Sequence, residues 1–350
     1  MLDSTVIGRD SGVTGSSAQD DELAAAAFEV NGDARRAVAL LSRLTAVARP
    51  GEGRTADYFD TLAKLGTADL SAAKVAEAHL DAVAILHQAG EPTGGPERTW
   101  GVFAAEAPGM TLTATRVDDR WQLDGIKPWC SLAGLLSHAL VTAQVVRPDG
   151  EPGRRLFAVD LHQSGVTVHD DVWAARGLSQ VKSGPVGFST VVADAVGDEG
   201  WYLRRPGFAW GGIGVAAVWW GGAVGLARTL HASTQSRPPD QIALAHLGAV
   251  DVALSASTMA LTAAATSIDA GHADGPAGAL LAARVRGIVA RTVDEVIFHI
   301  GHALGPAPLA LDARHAQRVA DLQLYVRQHH AERDDAALGR MLASTGSTPW

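Results

Sequence analysis

The hydrophobic period changes twice along this 350-residue chain, and the resulting order of helices, strands and helices restricts the folds open to it. Apolar residues recur three and four apart in "ARRAVALLSRLTAVA" and "AAKVAEAHLDAVAILHQAG", the spacing of one helix face. Residues 21–92 therefore read as an N-terminal helical domain after a loose leader, 1–20. "EPTGGPERTWG" reads as a Pro/Gly linker, and beyond it the period falls to two. "TLTATRVDDRWQLDG" has the form of a hairpin turning at Asp118 and Asp119. "SHALVTAQVV", "RRLFAVDL", "GVTVH" and "GPVGFSTVVADAV" continue the strands, with "RPDGEPG" as another turn, so 93–203 reads as a central β domain. After "LRRPGF" long Ala/Leu/Val-rich amphipathic segments fill 204–350. The fold class is α+β and multidomain.

Gly207–Ala227, "GFAWGGIGVAAVWWGGAVGLA", runs 21 residues without a formal charge, long enough to span a bilayer. It contains seven glycines and is followed by the amphipathic "RTLHASTQSRPPDQ", which favours the buried central helix of a bundle over a membrane span. A net charge of −9 without a long basic run gives nucleic acid or an acidic membrane no electrostatic reason to bind. Cys130 is the only cysteine, which excludes an internal disulfide and a thiolate metal cage and fits a reducing, cytoplasmic setting. The start of the chain lacks the apolar core of a secretory signal.

Gly212, Gly214 and Ala217 have the spacing of a dinucleotide fingerprint, but "RRPGFAW" before them is no core strand and no acid follows at the distance that would hold a ribose. Small residues for close helix packing are the preferred reading. His299 and His302, and the adjacent His329 and His330, have no convincing acidic third ligand, and neighbours on a helix point about 100° apart, so no metal is expected.

The β segment carries the informative motifs. "GVFAAEAPG" is followed by "TATRVDDRWQLDGIKPWCSLAG", which resembles the acyl-CoA dehydrogenase family. Phe103, Ala105, Pro108 and Gly109 match that family's aromatic, small-residue and Pro-Gly positions. Gly125, Lys127, Trp129 and Ser131 match its G-x-K-x-W-x-S/T segment. "GLSQVKSGPVGFSTVVADAV" and "GGAVGLAR" resemble its last β segment and the first long helix of its C-terminal bundle.

The resemblance implies an N-terminal helical domain, a central β-barrel-like domain and a C-terminal four-helix bundle. It also implies a flavin, FAD or the shorter FMN, between the last two, with Phe103, Ala105, Glu106, Trp129 and Ser131 around the ring. A planar apolar ring is suited by aromatic and small neighbours and a few hydrogen bonds at its polar edge. The implied activity is oxidation of an acyl-CoA-like substrate at its α,β-carbons, with an acceptor flavoprotein or oxygen taking the electrons. A homodimer or homotetramer is the implied assembly.

Departures from the family concern its base. Aligning "RVADLQLYVRQHH" without gaps puts Arg327 where the proton-abstracting glutamate belongs, with His329 and His330 beside it. A guanidinium stays protonated and cannot act as that base. The alternative base position, on the first bundle helix, falls on Val215. The family's R-x-x-F-G turn, which holds the FAD diphosphate, is replaced by "SRPPDQIALAHLG".

Three readings follow: a divergent dehydrogenase, an oxygen-using monooxygenase with Ser131 and His329 or His330 at the flavin, and a non-catalytic scaffold. Helical projection turns His329 inward with Leu322, Tyr325 and Val326, and Arg327 away, whereas a turn in the chain would bring Arg327 toward the flavin cavity. His330 and Asp334, four apart, are expected to pair at the surface.

Overall fold

A computed structural model describes residues 16–145, 153–236 and 238–344. The leader up to residue 15 and most of the "RPDGEPG" turn lie outside the described residues.

The first helical group comprises α1 (Ser16–Phe28), α2 (Ala34–Leu40), α3 (Thr55–Ala68) and α4 (Leu70–Ala89). Asp69 starts α4 by accepting from the Ala72 N–H, and Gly90 ends it in the left-handed region at φ 73°. The strands follow: β1 (Trp100–Phe103), β2 (Leu112–Val117), β3 (Arg120–Lys127), β4 (His138–Val145), β5 (Gly153–Asp160), β6 (Val166–Val168) and β7 (Val186–Val196). The second helical group comprises α5 (Trp201–Arg204), α6 (Pro206–Ser236), α7 (Gln241–Asp269), α8 (Gly275–Leu304), α9 (Ala307–Leu311), α10 (Ala313–Tyr325) and α11 (Glu332–Ala343).

Strands β2 and β3 form the expected antiparallel hairpin, with Asp118 at φ 53° in the two-residue turn. β3 pairs with β7, β7 with β5, and β5 with β4, while β4 returns to β2, so the sheet closes into a barrel. β1 lies parallel to the first half of β4, on the edge that β2 occupies further along. The sequence reading placed Trp100 and Gly101 in a linker; only four residues long and containing a glycine, β1 carries too little alternation to show as a strand.

The core runs from the first helices through α6 into the barrel. α6 is the mostly buried helix expected of the uncharged segment, packed against α3, α4, α7, α8 and α10. Its glycines permit backbone approach: a Cβ built on Gly221 would lie 2.1 Å from the Ala63 carbonyl oxygen of α3. α7 is also long and apolar enough for a membrane span, and only 17% of its most apolar window is buried.

Candidate functional site

A cavity of about 530 Å³ opens where α4, α5, the start of α6, α8 and the α10–α11 junction converge. Its walls divide by chemistry. Phe208, Ala279, Ala283, Ala337 and Met341 supply apolar surface, whereas Glu77, Asp81, Arg205, Arg286, His329 and Asp334 supply charge and hydrogen bonds.

Each carboxylate has a partner. Glu77 accepts from the Tyr325 hydroxyl at 3.2 Å and faces Lys74 at 3.4 Å; burial pushes its pKa up. Asp81, one helical turn on, meets Arg205 at 3.4 Å, and burial raises its pKa too. Arg205 also donates to Gln88 at 2.7 Å. Its side chain is only 2% exposed, and its Nε has no partner among the described residues. Arg286 donates to the Gly212 carbonyl at 2.8 Å and the Gln328 carbonyl at 3.1 Å, with its guanidinium carbon 4.8 Å from the Trp219 ring centre.

The decapeptide that begins at Tyr325 delivers the histidines. α10 ends in a 3-10 turn, Val326–Gln328, and Ala331 then takes φ 48° before α11 begins. His329 is buried. Its Nδ1 accepts the Ala331 N–H at 3.2 Å, so the neutral ring carries its proton on Nε2. Burial lowers its pKa below the usual histidine value, which favours that neutral form. His330 lines the mouth of the cavity and pairs with Asp334 at 3.4 Å. Arg327 is half exposed, turned away from the cavity and paired with Asp294 of α8. The chain does turn here, yet Arg327 points outward as helical projection had it.

The β-domain residues form a second group outside the cavity lining. Trp129 is 58% exposed with its backbone at φ 58°, a conformation that costs a bulky residue of order 1–3 kcal/mol and holds the indole off the core. Ser131 shares a 2.8 Å hydroxyl–hydroxyl bond with Ser183. Glu106 pairs with Arg154 at 2.8 Å, and Arg154 also donates to the Ala104 carbonyl. Ala105 is exposed beside it, and Phe103 is buried beneath. Lys127 is buried against the Thr142 hydroxyl at 2.8 Å, and burial lowers its pKa to about 8.

The two groups are tied together. Asp321 of α10 accepts the Leu178 N–H at 2.5 Å, and a Cβ on Gly177 would lie 2.0 Å from the Ala320 carbonyl oxygen. The β-domain segment that reaches Ser183 is thus fastened to the helix whose end carries His329. His299, at the far end of α8, meets His246 by an Nδ1–Nδ1 contact at 2.9 Å and lies edge-on to the Phe298 ring.

No protein-family profile and no curated protein sequence matches the chain. Solved structures do. FMN-bound TdsC from Paenibacillus sp. A11-2, a dibenzothiophene monooxygenase, superposes with a TM-score of 0.80 at 17% identity, covering 96% of this chain and 99% of that one. Butyryl-CoA dehydrogenase from Megasphaera elsdenii gives 0.79 at 16% identity, covering 96% and 100%. This chain has the acyl-CoA dehydrogenase fold. A nitrososynthase from Micromonospora carbonacea var. africana shares it, with a TM-score of 0.78 at 18% identity over 99% and 100% of the two chains.

Sequence reasoning missed Glu77, Asp81, Arg205 and Arg286. Two of them left a legible signal, a charge set within an apolar helical stripe. Glu77 sits among the buried Ala73, Ala76 and Leu80, and Arg286 among the mostly buried Ala282, Val289 and Ala290.

Proposed function

We propose that the protein is a flavin-dependent monooxygenase acting on a small molecule held in the α4–α6–α8–α11 cavity. The observation that carries this reading is the make-up of the two places where this fold's dehydrogenases keep their base: Val215 is apolar, Arg327 pairs with Asp294 outside the cavity, and the buried neutral His329 takes the inward position. The likeness to a dibenzothiophene monooxygenase and a nitrososynthase supports it.

The β-domain group suits an isoalloxazine. Trp129 offers an exposed flat face at the end of a strand, Ser131 and Ser183 offer hydroxyls, and Glu106 with Arg154 offers a charged edge. Because "SRPPDQIALAHLG" replaces the diphosphate-holding turn, FMN is favoured over FAD. Bound in reduced form, the flavin supplies two electrons to oxygen, so that one oxygen atom enters the substrate and the other leaves as water. A reductant must load those electrons beforehand, and the proposed setting is the reducing cytosol that the single Cys130 fits. The chain's own part is to hold the His329 Nε2–H as a hydrogen-bond donor in a water-poor wall and to fix its tautomer through Ala331.

One observation favours dehydrogenation of an acyl-CoA-like thioester instead: Glu77 and Asp81 are cavity carboxylates whose pKa values burial raises toward that of a general base. Both are already engaged, by Tyr325 and Lys74 and by Arg205, and so stand second.

The test uses protein reconstituted with FMN, reduced without oxygen and mixed with aerated buffer. Wild type is expected to reoxidise slowly, and His329→Ala to release hydrogen peroxide about tenfold faster. Anaerobic bleaching of the oxidised holoprotein by butyryl-CoA would overturn the monooxygenase reading, and failure to retain either flavin would overturn both.

A further inference from the structure

The cavity's carboxylates are each partnered, whereas part of its cationic hydrogen-bonding capacity is unused among the described residues. Glu77, Asp81 and Asp334 all have partners: Lys74 and Tyr325 for the first, Arg205 for the second, and the His330 N–H at 3.1 Å and its ring for the third. The cations are less fully met. Arg286 has no carboxylate at ion-pair distance among the described residues, and only two of its five N–H groups find carbonyls, those of Gly212 and Gln328. The His329 Nε2–H lies 3.9 Å from Asp334, beyond hydrogen-bond reach. Arg205 keeps a buried Nε without a partner among the described residues.

Two of these donors, Arg286 and His329, line the same cavity. Arg286 bonds the carbonyl of Gln328, the residue before His329, and the His329 Nε2 approaches α8 beside Gly287, the residue after Arg286, 3.8 Å from where a Cβ would stand there. Buried donors of this kind call for acceptor oxygens, and a guanidinium fork matches the two oxygens of a carboxylate. The remaining wall is apolar, with Phe208 and Met341 half-open to the space.

We propose that Arg286 and His329 form an anion subsite that takes the carboxylate of a small substrate, whose apolar body lies along Phe208, Ala279 and Met341. This rests on reading the cavity as the substrate site. Asp334 and Glu77 act on Arg286 through space, but neither reaches it at ion-pair distance, and burial keeps Glu77 and Asp81 less acidic than ordinary carboxyls. A long hydrocarbon chain would leave these donors unmet at a cost in affinity.

Calorimetric titration of the FMN-loaded protein separates this from the oxygen chemistry, because it scores the head group whether or not reduced flavin reacts with oxygen. The probes are butyrate and phenylacetate, each compared with its amine and alcohol counterpart. Wild type is expected to bind the carboxylates at least about tenfold tighter than the alcohols. Arg286→Met is expected to abolish that preference, and Arg286→Lys to keep part of it. Equal binding of all head groups, preference for the amines, or no binding of any carboxylate by wild type would overturn the proposal. So would a folded Arg286→Met variant that keeps the preference. The wild-type series decides the matter even if the variant does not fold.

Discussion

Gly221→Ala adds one methyl group in the middle of α6, where a helix ordinarily gains from it. Replacing Gly by Ala in an exposed helix interior stabilises by about 0.5–1 kcal/mol, because the glycine backbone loses more freedom on folding. At Gly221 the new Cβ would lie 2.1 Å from the Ala63 oxygen, 2.8 Å from its carbonyl carbon and 2.9 Å from its Cα, all main-chain atoms of α3 that cannot rotate aside. Relief requires α3 and α6 to separate along a buried seam, and overpacking of that kind costs about 1–3 kcal/mol. The clash outweighs the propensity gain, so the variant is expected to lose about 1–2 kcal/mol net. Gly248 of α7 provides the control: it is exposed, helical and has nothing within 4 Å of a built Cβ, so Gly248→Ala is expected to gain about 0.5–1 kcal/mol. Urea unfolding followed by circular dichroism reads both. A Gly221→Ala protein at least as stable as wild type, or a Gly248→Ala protein less stable, would refute the close-packed seam.

Burial raises the Asp321 pKa to about 6, so its carboxyl favours folding most when protonated. Its stabilising contribution is complete below pH about 4 and is lost as pH rises to about 6; Asp321→Asn is expected to flatten the stability profile across that window by about 1–3 kcal/mol while keeping an acceptor for Leu178. An unchanged profile would remove Asp321 as its source. The homodimer or homotetramer that the family resemblance implies is expected to place its seam on α7, where Ile242, Leu244, Val252 and Met259 are exposed. Light scattering is expected to show more than one copy, and Val252→Glu with Met259→Glu to give monomers; a monomeric wild type would count against it.

What the sequence disclosed was what repeats. The periods of 3.6 and 2 exposed the long helices and most strands, and Asp118–Asp119 fixed the hairpin because a two-residue turn allows only one register. The Trp129 and Ser131 segment was legible as a motif. The cavity was not, because its walls come from α4, α6, α8 and α11, and no local pattern says which faces of distant helices will meet. Arg327 was legible in part: helical projection turned it outward, but nothing local named its partner Asp294, 33 residues earlier.

The division of α6 into two stretches sets what can vary. Gly211, Gly212 and Val215, in its first turns, border the cavity, whereas Gly221 and Gly225 further along lie against the Ala63 and Thr67 carbonyls of α3. One helix therefore carries a cavity wall and a close-packed seam in separate registers. Selection for a new substrate can rewrite the first without loosening the second, which is one physical route by which chains less than a fifth identical keep the same frame around different chemistry.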